Sequence, residues 1–399
     1  MAGHSRRTWA EIDLDCLSRN FHIIRSRVRP GCRLMAVVKA NAYGHGDGPV
    51  ARALEALGAD WFAVSSLEEA VSLRRQGTSR PILVLGYTPP EDAPLLSRYK
   101  VSQAVLDEDF ARALSREAAA AGVEVDCHLK LDTGMGRIGF SAAEDRAASS
   151  REAILRAAAL PGLRFTGVFT HFSCADSPDE DSLRYTQLQY RRFTGMLEAL
   201  GQDGLFFSLR HCCNSAGLLA HPEWHMDMVR AGVILYGLSP SPDCPCLPRL
   251  EPVMSLRSVV SLVKEAEAGD QISYGRTYTA PGPRTLATVP IGYADGYSRL
   301  LSGRGEMSLR GRRAPVAGRV CMDQLMLDVT GLGPVRPGDP VTVFGRPEDG
   351  APTADGLAAL IGTIGYEVVC GVSRRVPRVY VREGAEVGAE NYLLPGGLR

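Results

Sequence analysis

Short apolar segments alternate with longer amphipathic segments between about residue 33 and residue 236. Eight of the apolar segments have the length and branching of buried strands, at 34–38, 61–64, 81–85, 101–106, 123–131, 165–170, 209–213 and 228–235. Alanine-rich, charged stretches with helical spacing separate many of them, as at 48–57, 67–76, 108–121 and 142–160. This alternation predicts an α/β fold that begins with a parallel eight-stranded (β/α) barrel. An open doubly wound sheet is the alternative, which the absence of GxGxxG after the first strand weakens.

The pattern changes at residues 239–248, which are rich in proline and cannot continue a helix or a central strand. Short β-type runs follow at 253–263, 271–274, 284–290, 314–316, 325–329 and 340–344, with one helical stretch at 353–361. This spacing predicts a mostly antiparallel β domain. We therefore expect a barrel domain at 1–245 and a C-terminal β domain at 246–399. Roughly the first ten residues are a candidate to pack with the C-terminal domain instead.

Composition narrows the possible partners and location. The 45 basic and 45 acidic side chains balance, which favours neither nucleic acid nor a membrane surface as a partner. No run approaches the ~20 apolar residues of a membrane span, and the N-terminus lacks the apolar core of a signal peptide, so we predict a cytoplasmic protein. The 10 cysteines are scattered and fit no zinc spacing, so we predict reduced thiols and assign no metal.

Residues whose side chains could take part in catalysis or binding follow the predicted strands, at the end where barrels carry their active sites. Taken singly, each has a structural explanation: a lysine that snorkels to water, a satisfied core histidine, a surface ion pair or a helix cap. Their joint placement on one face of the barrel favours a site. They are Lys39 after the first strand, Lys130 and Arg137 after the fifth, His171 after the sixth, Ser215 after the seventh, and Arg230 with Gly232 and Val233 at the eighth.

Ten motifs in a fixed order give the chain a resemblance to a known family. They are AVVKANAYGHG, HLKLDTGMGRIGF, GVFTHFSCAD, NSAG, MVRAGVILYG, PVMSLRS, ISYGRTY, PIGYADGYSR, GRVCMDQLMLDV and GTIGYE. Together they span nearly the whole chain, which resembles the alanine racemases, pyridoxal 5'-phosphate enzymes of fold type III. The resemblance implies interconversion of L- and D-alanine, supply of D-alanine for bacterial peptidoglycan, and a homodimer with shared active sites.

The same resemblance implies a role for each site residue. Lys39 matches the lysine that bonds covalently to the cofactor. The groups that hold the cofactor phosphate match Tyr43, Ser215, Gly232, Val233 and Tyr366. Arg230 matches an arginine that faces the pyridine nitrogen, with His171 hydrogen-bonded behind it. Arg137 matches the arginine near the substrate carboxylate, and Lys130 matches a lysine that is carbamylated in many members. Residues that reach the site from the second subunit match Tyr274, Met322 and Asp323.

These residue types suit racemisation, which needs a base on each face of the substrate α-carbon. By analogy with the family, Lys39 takes the proton of the D form and Tyr274 that of the L form. A free phenol has a pKa of roughly 10, so Tyr274 needs neighbours that favour its anion, for which His171 and Arg230 are suited. Arg230 does not release its proton near neutral pH, which leaves the pyridine nitrogen largely unprotonated and favours racemisation over aminotransfer.

Three alternatives differ in substrate or class. A serine or broader-specificity racemase of the same family is the nearest, although Tyr366, Tyr274 and Met322 would leave room for little more than a methyl group. A decarboxylase of basic amino acids shares the two-domain plan but needs a large polar pocket where this chain has Tyr274 and Met322. A single-barrel protein that only binds the cofactor would lack the β domain after residue 248.

Overall fold

The computed structural model describes residues 6–394 of the chain. Its N-terminal part is a barrel of eight parallel strands in the order β10-β2-β3-β4-β5-β6-β8-β9. The first strand, β1 (Thr8–Asp13), lies outside this barrel. The next nine are β2 (Arg33–Val37), β3 (Trp61–Val64), β4 (Ile82–Val84), β5 (Val101–Val105), β6 (Val125–Asp132), a short β7 (Phe140–Ser141), β8 (Leu163–Phe169), β9 (Leu209–His211) and β10 (Met228–Ala231). The predicted barrel is confirmed.

Backbone hydrogen bonds bring the two ends of this sheet together. The amide of Arg230 donates to the carbonyl of Cys213 at 3.1 Å, and the amide of Asp227 donates to that of Arg210 at 3.2 Å. Helices cover the outside of the sheet and side chains fill the inside, so the strands are buried on both faces and read as continuous apolar runs. The helices of this half are Leu14–Arg27, Asp47–Leu57, Leu67–Arg75, Ala93–Arg98, Glu108–Ala120, Ala147–Ala158, Glu180–Gln202 and Ser215–Ala220.

The C-terminal half is built from three sheets that are mostly antiparallel, as predicted. A seven-stranded sheet has the order β17-β16-β19-β11-β1-β20-β21, a three-stranded sheet the order β12-β15-β18, and β13 pairs with β14. Two helices, Ala354–Ile361 and Gly365–Cys370, accompany them. The strands are β11 (Met254–Val259), β12 (Leu262–Ala266), β13 (Gln271–Ile272), β14 (Tyr278–Thr279), β15 (Arg284–Val289), β16 (Glu306–Leu309), β17 (Arg312–Pro315), β18 (Leu325–Asp328), β19 (Pro340–Phe344), β20 (Arg378–Arg382) and β21 (Ala385–Glu390).

Strand β1 ties the two halves together. It lies inside the large C-terminal sheet, antiparallel to β11 and parallel to β20. Alternate residues of β1 are buried, as expected for a strand that exposes one face. Asp13 then ends the strand and caps helix Leu14–Arg27, with its Oδ1 accepting from the amides of Asp15 and Cys16 at 2.9 Å. The chain therefore enters the barrel from the β domain.

Two sequence predictions of strand limits differ from the structure. The run at 253–263 is two strands in different sheets, because the chain turns between Val259 and Leu262. The eighth barrel strand ends at Ala231, and Val233–Tyr236 forms a tight turn instead of continuing it. Within the described part of the chain, no helix has both the length and the hydropathy needed to cross a membrane.

Candidate active site

Lys39 lies where β2 ends, at the start of a left-handed turn. The four residues after it, from Ala40 to Tyr43, have φ between 52° and 57°. For residues other than glycine and asparagine this conformation costs ~1–2 kcal/mol each, so other contacts must compensate. The Lys39 side chain is partly buried, and burial followed by the nearby Arg137 guanidinium lowers its pKa. Both effects favour the neutral amine, which is the form that can act as a nucleophile or base.

A second feature of the site is a cradle formed by Tyr43, Ser215 and Gly232. The amide of Gly232 donates to Ser215 Oγ at 2.9 Å. A Cβ at Gly232 would lie 3.0 Å from Tyr43 Oη and 3.5 Å from Ser215 Oγ, so the glycine keeps the space between the two hydroxyls open. Burial raises the pKa of Tyr43, which keeps its phenol protonated as a donor. Two hydroxyl donors thus converge on a space suited to a phosphate.

Aromatic rings and a tight turn form the walls of this cradle. The Tyr43 ring centroid lies 5.0 Å from that of Tyr236 and 6.0 Å from that of Tyr366, which stands on helix Gly365–Cys370. Val233 is buried and begins the turn directly after Gly232. Burial also raises the pKa of Tyr366. The predicted phosphate residues are therefore neighbours in the structure.

Arg230 is 3% exposed and is held by acceptors at the ends of two neighbouring strands, β8 and β9. Its Nη1 donates to the ring Nδ1 and the carbonyl of His211 at 3.0 and 3.1 Å. Its Nη2 donates to the carbonyls of Thr170 and Cys212 at 2.7 and 3.1 Å, with His171 Nδ1 at 3.4 Å. Burial lowers the Arg230 pKa to about 10, so the guanidinium stays charged at neutral pH. All four Nη hydrogens are engaged, and Nε–H has no hydrogen-bond acceptor among residues 6–394.

Behind Arg230 lies a histidine pair to which the sequence analysis assigns no role. His211 Nδ1 accepts from Arg230, so the proton of neutral His211 sits on Nε2 and is donated to His128 Nδ1 at 3.0 Å. Burial lowers the pKa of both rings, that of His128 to about 3. Two neutral rings therefore add no charge beside the guanidinium and fix the orientation of its acceptor. His128 and Lys130 are two residues apart on β6 and so share a face, which is the signal that could have found the pair.

Lys130 is 2% exposed and lies beside the same arginine. Its Nζ donates to the carbonyl of Leu131 at 2.7 Å and stands 5.5 Å from the centre of the Phe169 ring. Burial, followed by the charge of Arg230, lowers its pKa to about 7. A substantial share of the amine is therefore neutral near pH 7, as carbamate formation requires.

Arg137 and His171 face the mouth of the barrel. Arg137 is exposed and makes no hydrogen bond to another residue within 6–394, yet its charge acts on Lys39, Lys130 and His171. Burial and then Arg230 lower the pKa of His171 well below its usual value. A free guanidinium beside the lysine is suited to an incoming carboxylate.

The remaining predicted residues lie apart from this cluster, on the surface of the β domain. Tyr274 occupies the turn between β13 and β14 and is 70% exposed. Met322 is 53% exposed, and Asp323 next to it forms an ion pair with Arg375 at 2.9 Å. Tyr274 has no hydrogen bond to another of the described residues. The structure therefore brings together the barrel residues in one chain and leaves Tyr274, Met322 and Asp323 facing outward.

The barrel and the β domain together form a two-domain protein. Its candidate site combines a half-buried lysine with an anion cradle and a buried arginine. Family models for the N-terminal and the C-terminal domain of alanine racemase match residues 12–240 and 253–380. Alanine racemase from Desulfovibrio desulfuricans is 45% identical over 381 residues, which cover 96% of this chain and 100% of that protein. The protein of that name from Symbiobacterium thermophilum is 47% identical over 380 residues, covering 95% and 98%.

Solved structures agree with these relatives. Alanine racemase from Clostridium difficile 630 superposes with a TM-score of 0.92 at 38% identity and covers 98% of this chain and 100% of its own. The Bacillus anthracis enzyme, described with bound L-Ala-P, also has a TM-score of 0.92 at 38% identity and covers 98% and 99%. The chain belongs to the alanine racemase family.

Proposed function

We propose that this chain interconverts L- and D-alanine with pyridoxal 5'-phosphate bound at the barrel mouth. One arrangement carries the proposal: a lysine of lowered pKa stands beside a two-hydroxyl cradle, and the Nε–H of a buried arginine has no acceptor within residues 6–394. Two relatives named alanine racemase match this chain over 98% or more of their own length, which supports the same substrate here.

The cofactor fits the residues that are present. The space at Gly232 between the hydroxyls of Tyr43 and Ser215 would hold its phosphate, and the Nε–H of Arg230 would meet its ring nitrogen. When bound, pyridoxal phosphate withdraws electrons from the bond between the substrate α-carbon and its proton. The protein supplies the covalent anchor at Lys39, the orientation of the ring, and the groups that move protons.

Arg230 sets the strength of that electron withdrawal. The guanidinium keeps its proton at neutral pH because its pKa, lowered by burial, is still about 10. It can donate a hydrogen bond to a ring nitrogen but does not protonate it. The four hydrogen bonds to its Nη atoms prevent the side chain from turning away. This arrangement limits electron withdrawal and so favours racemisation over aminotransfer.

Two bases on opposite faces complete the proposal. Lys39 would move the proton of D-alanine, and Tyr274 that of L-alanine. Because Tyr274 and Met322 are exposed on the surface of the β domain, we infer that they serve the site of a second subunit in a two-fold, head-to-tail homodimer. Arg137 would bind the substrate carboxylate, with Lys130, once carbamylated, as the anion that orients it.

The test is a chiral assay on the purified protein with added pyridoxal phosphate. We expect D-alanine to form from L-alanine until the two are equal, and L-serine to react more slowly because the rings of Tyr366 and Tyr274 crowd the α-carbon. Formation of pyruvate or an amine product in place of D-alanine would overturn the proposed reaction. A higher kcat/KM for serine than for alanine would overturn the proposed substrate.

A further inference from the structure

The left-handed turn after Lys39 is held by few bonds of its own. The amides of Ala42, Gly44 and Gly46 donate to the carbonyls of Val38, Ala40 and Asn41 at 2.8, 2.9 and 3.0 Å. Ala40 and Ala42 have (φ, ψ) of (53°, 49°) and (53°, 51°), a region that L residues with a Cβ avoid. A right-handed turn would satisfy similar backbone bonds without this strain. Contacts from outside the turn must therefore select the left-handed form.

One such contact comes from the barrel, where Glu69 Oε1 accepts from the amide of Ala40 at 2.6 Å. Two more come from the C-terminal end of the described chain. We call residues 378–392, which comprise β20, β21 and Tyr392, the strap. Arg378 is 1% exposed, and its Nε donates to the carbonyl of Gly44 at 2.8 Å. The Nδ2 of Asn41 donates to Tyr392 Oη at 2.9 Å. The strap thus holds the middle of the turn at Asn41 and the residue that caps it, Gly44.

The strap is itself well anchored at both contacts. The Nη atoms of Arg378 donate to the carbonyls of Val372, Ser373 and Val376 at 2.6 to 2.7 Å. Tyr392 Oη donates to Glu390 Oε2 at 3.2 Å, which Tyr380 Oη also reaches at 2.7 Å. The guanidinium carbon of Arg378 lies 5.5 Å from the centre of the Tyr392 ring. The Arg378 guanidinium and the Tyr392 hydroxyl are therefore held in place by bonds within the C-terminal segment as well as by their contacts with the turn.

The acceptor side of Asn41 fixes its orientation as well. Asn41 Oδ1 accepts from the amide of Asp47 at 3.0 Å, so its Nδ2 must point towards Tyr392. Gly44 packs equally closely, because a Cβ there would lie 2.2 Å from the carbonyl oxygen of Val369. The turn therefore has little freedom to rearrange while the strap is in place.

We propose that the strap, through Arg378 and Tyr392, keeps this turn left-handed and thereby positions Lys39 for proton transfer. The turn begins at Lys39 and ends at Tyr43, so it also sets the distance between the cofactor lysine and the phosphate cradle. Reversal of the turn would displace one relative to the other. Arg378, Glu390 and Tyr392 are thus positioning residues of the β domain that act on the barrel site of their own chain. The catalytic part of this inference rests on the proposed function.

The first test is amide hydrogen exchange of the enzyme loaded with pyridoxal phosphate. Tyr392→Phe keeps the ring but removes the acceptor for Asn41 and the donor to Glu390. Exchange at the amides of Ala42, Gly44 and Gly46 should speed up roughly tenfold, the effect of one to two lost hydrogen bonds. The matched control is Tyr190→Phe. Tyr190 lies on the outer helix Glu180–Gln202, and its ring centroid is 4.3 Å from that of Trp224. Its hydroxyl has no hydrogen bond to another described residue.

The second readout separates positioning from general stability. If Lys39 transfers its proton more slowly in Tyr392→Phe, the isotope effect with α-deuterated D-alanine should rise and that with α-deuterated L-alanine should fall. We expect kcat/KM to drop roughly ten- to a hundredfold. The proposal would be overturned if Tyr392→Phe melted at a lower temperature but did not differ from Tyr190→Phe in amide exchange at the turn or in either isotope effect. Should Tyr392→Phe not fold, Glu390→Gln, which weakens the hydrogen bond that anchors the Tyr392 hydroxyl, is judged by the same criteria.

Rescue by glycine tests the role of strain directly. Ala40 is exposed and has φ of +53°, so Ala40→Gly loses no core contact and relieves part of the strain. Added to Tyr392→Phe, it should restore turn exchange and the isotope effects at least in part. Failure to restore either would overturn the strain argument. If the parent enzyme does not racemise alanine, the proposed function fails, whereas the exchange comparison still decides whether the strap holds the turn.

Discussion

The barrel half of the candidate site and its β-domain half differ in burial and in bonding. On the barrel side, Arg230 and His211 are buried, and their hydrogen bonds fix them before any ligand arrives. On the β-domain side, Tyr274 is 70% exposed and makes no hydrogen bond within the described chain. The electrostatic part of the site is thus built within one chain, whereas Tyr274, the proposed second base, would acquire its environment only at the proposed dimer interface.

The difference has a physical reason. A buried guanidinium is stable only if acceptors surround it, so the barrel must supply them during folding. A phenol exposed on a turn carries no such requirement. It would become an effective base only where a neighbouring cation stabilises its anion, and in the proposed dimer that neighbour belongs to the other chain.

The largest effect should come from Lys39→Ala, which removes both the proposed covalent anchor and one of the two proposed bases. We expect racemisation with added cofactor to fall by roughly 10⁴-fold or more, because two separate contributions are lost together. Steady-state rates in both directions measure it. Lys264→Ala on exposed strand β12 is the control and should behave as the parent enzyme does. Activity of Lys39→Ala within tenfold of the parent would assign the site elsewhere.

A smaller effect is expected on the free energy of unfolding, which should respond differently to substitution of Arg230 and of Arg137. Lysine cannot reach all the acceptors of Arg230, so Arg230→Lys would leave buried carbonyls unpaired and lower the free energy of unfolding by about 2–4 kcal/mol. Arg137→Lys should change it by less than about 0.5 kcal/mol while raising KM for alanine, since Arg137 is exposed. Denaturant unfolding of the two variants measures the difference. Equal losses of stability would contradict the contrast between a fixed and a free guanidinium.

The last effect depends on pH and concerns Lys130, whose pKa in the folded protein is about 7. An unfolded lysine titrates near 10.4, so between pH 7 and that value the unfolded chain binds more protons. Without carbon dioxide, stability contributed by this group should therefore rise with pH across that window by at most about 1.4 kcal/mol per unit, and the full penalty should persist below pH 7. Comparison with Lys130→Met isolates this slope.

Bicarbonate extends the Lys130 experiment to the carbamate. The neutral amine reacts with carbon dioxide and releases a proton, and the resulting anion binds no proton in this range. The unfolded lysine still binds one, so the rise of stability with pH should persist. With ¹³C-labelled bicarbonate, a carbamate resonance should be seen in the parent protein and be missing in Lys130→Met. Identical spectra for both proteins would contradict carbamylation at this residue.

Sequence reasoning is most successful where local pattern and tertiary structure agree. The barrel strands are buried on both faces, so their apolar runs alone place them, and the predicted 61–64 coincides with Trp61–Val64. Motif spacing also brings Lys39, Tyr43, Ser215 and Arg230 to one end of the barrel. The roles assigned to them stay predictions until variants are measured.

What the sequence does not predict depends on contacts between distant segments. Nothing local marks KANAY as left-handed, because the selecting contacts lie more than 300 residues away at Arg378 and Tyr392. Strand β20 begins and ends with arginine, and β21 is almost wholly exposed and carries two glutamates, so neither has a clear apolar pattern. The hydrogen bond between His128 and His211 joins residues 83 apart. Such features are set by tertiary structure, so local sequence patterns do not predict them.

The proposed shared site is tested most directly by subunit exchange between Lys39→Ala and Tyr274→Phe, each of which should be nearly inactive alone. In a mixed dimer one site would lack both bases and the other would have both. Random pairing in equal amounts makes half of the dimers mixed, so activity should recover to about a quarter of that of the parent enzyme. Recovery near that level confirms that Lys39 of one chain works with Tyr274 of its partner. No recovery after verified subunit exchange would contradict it.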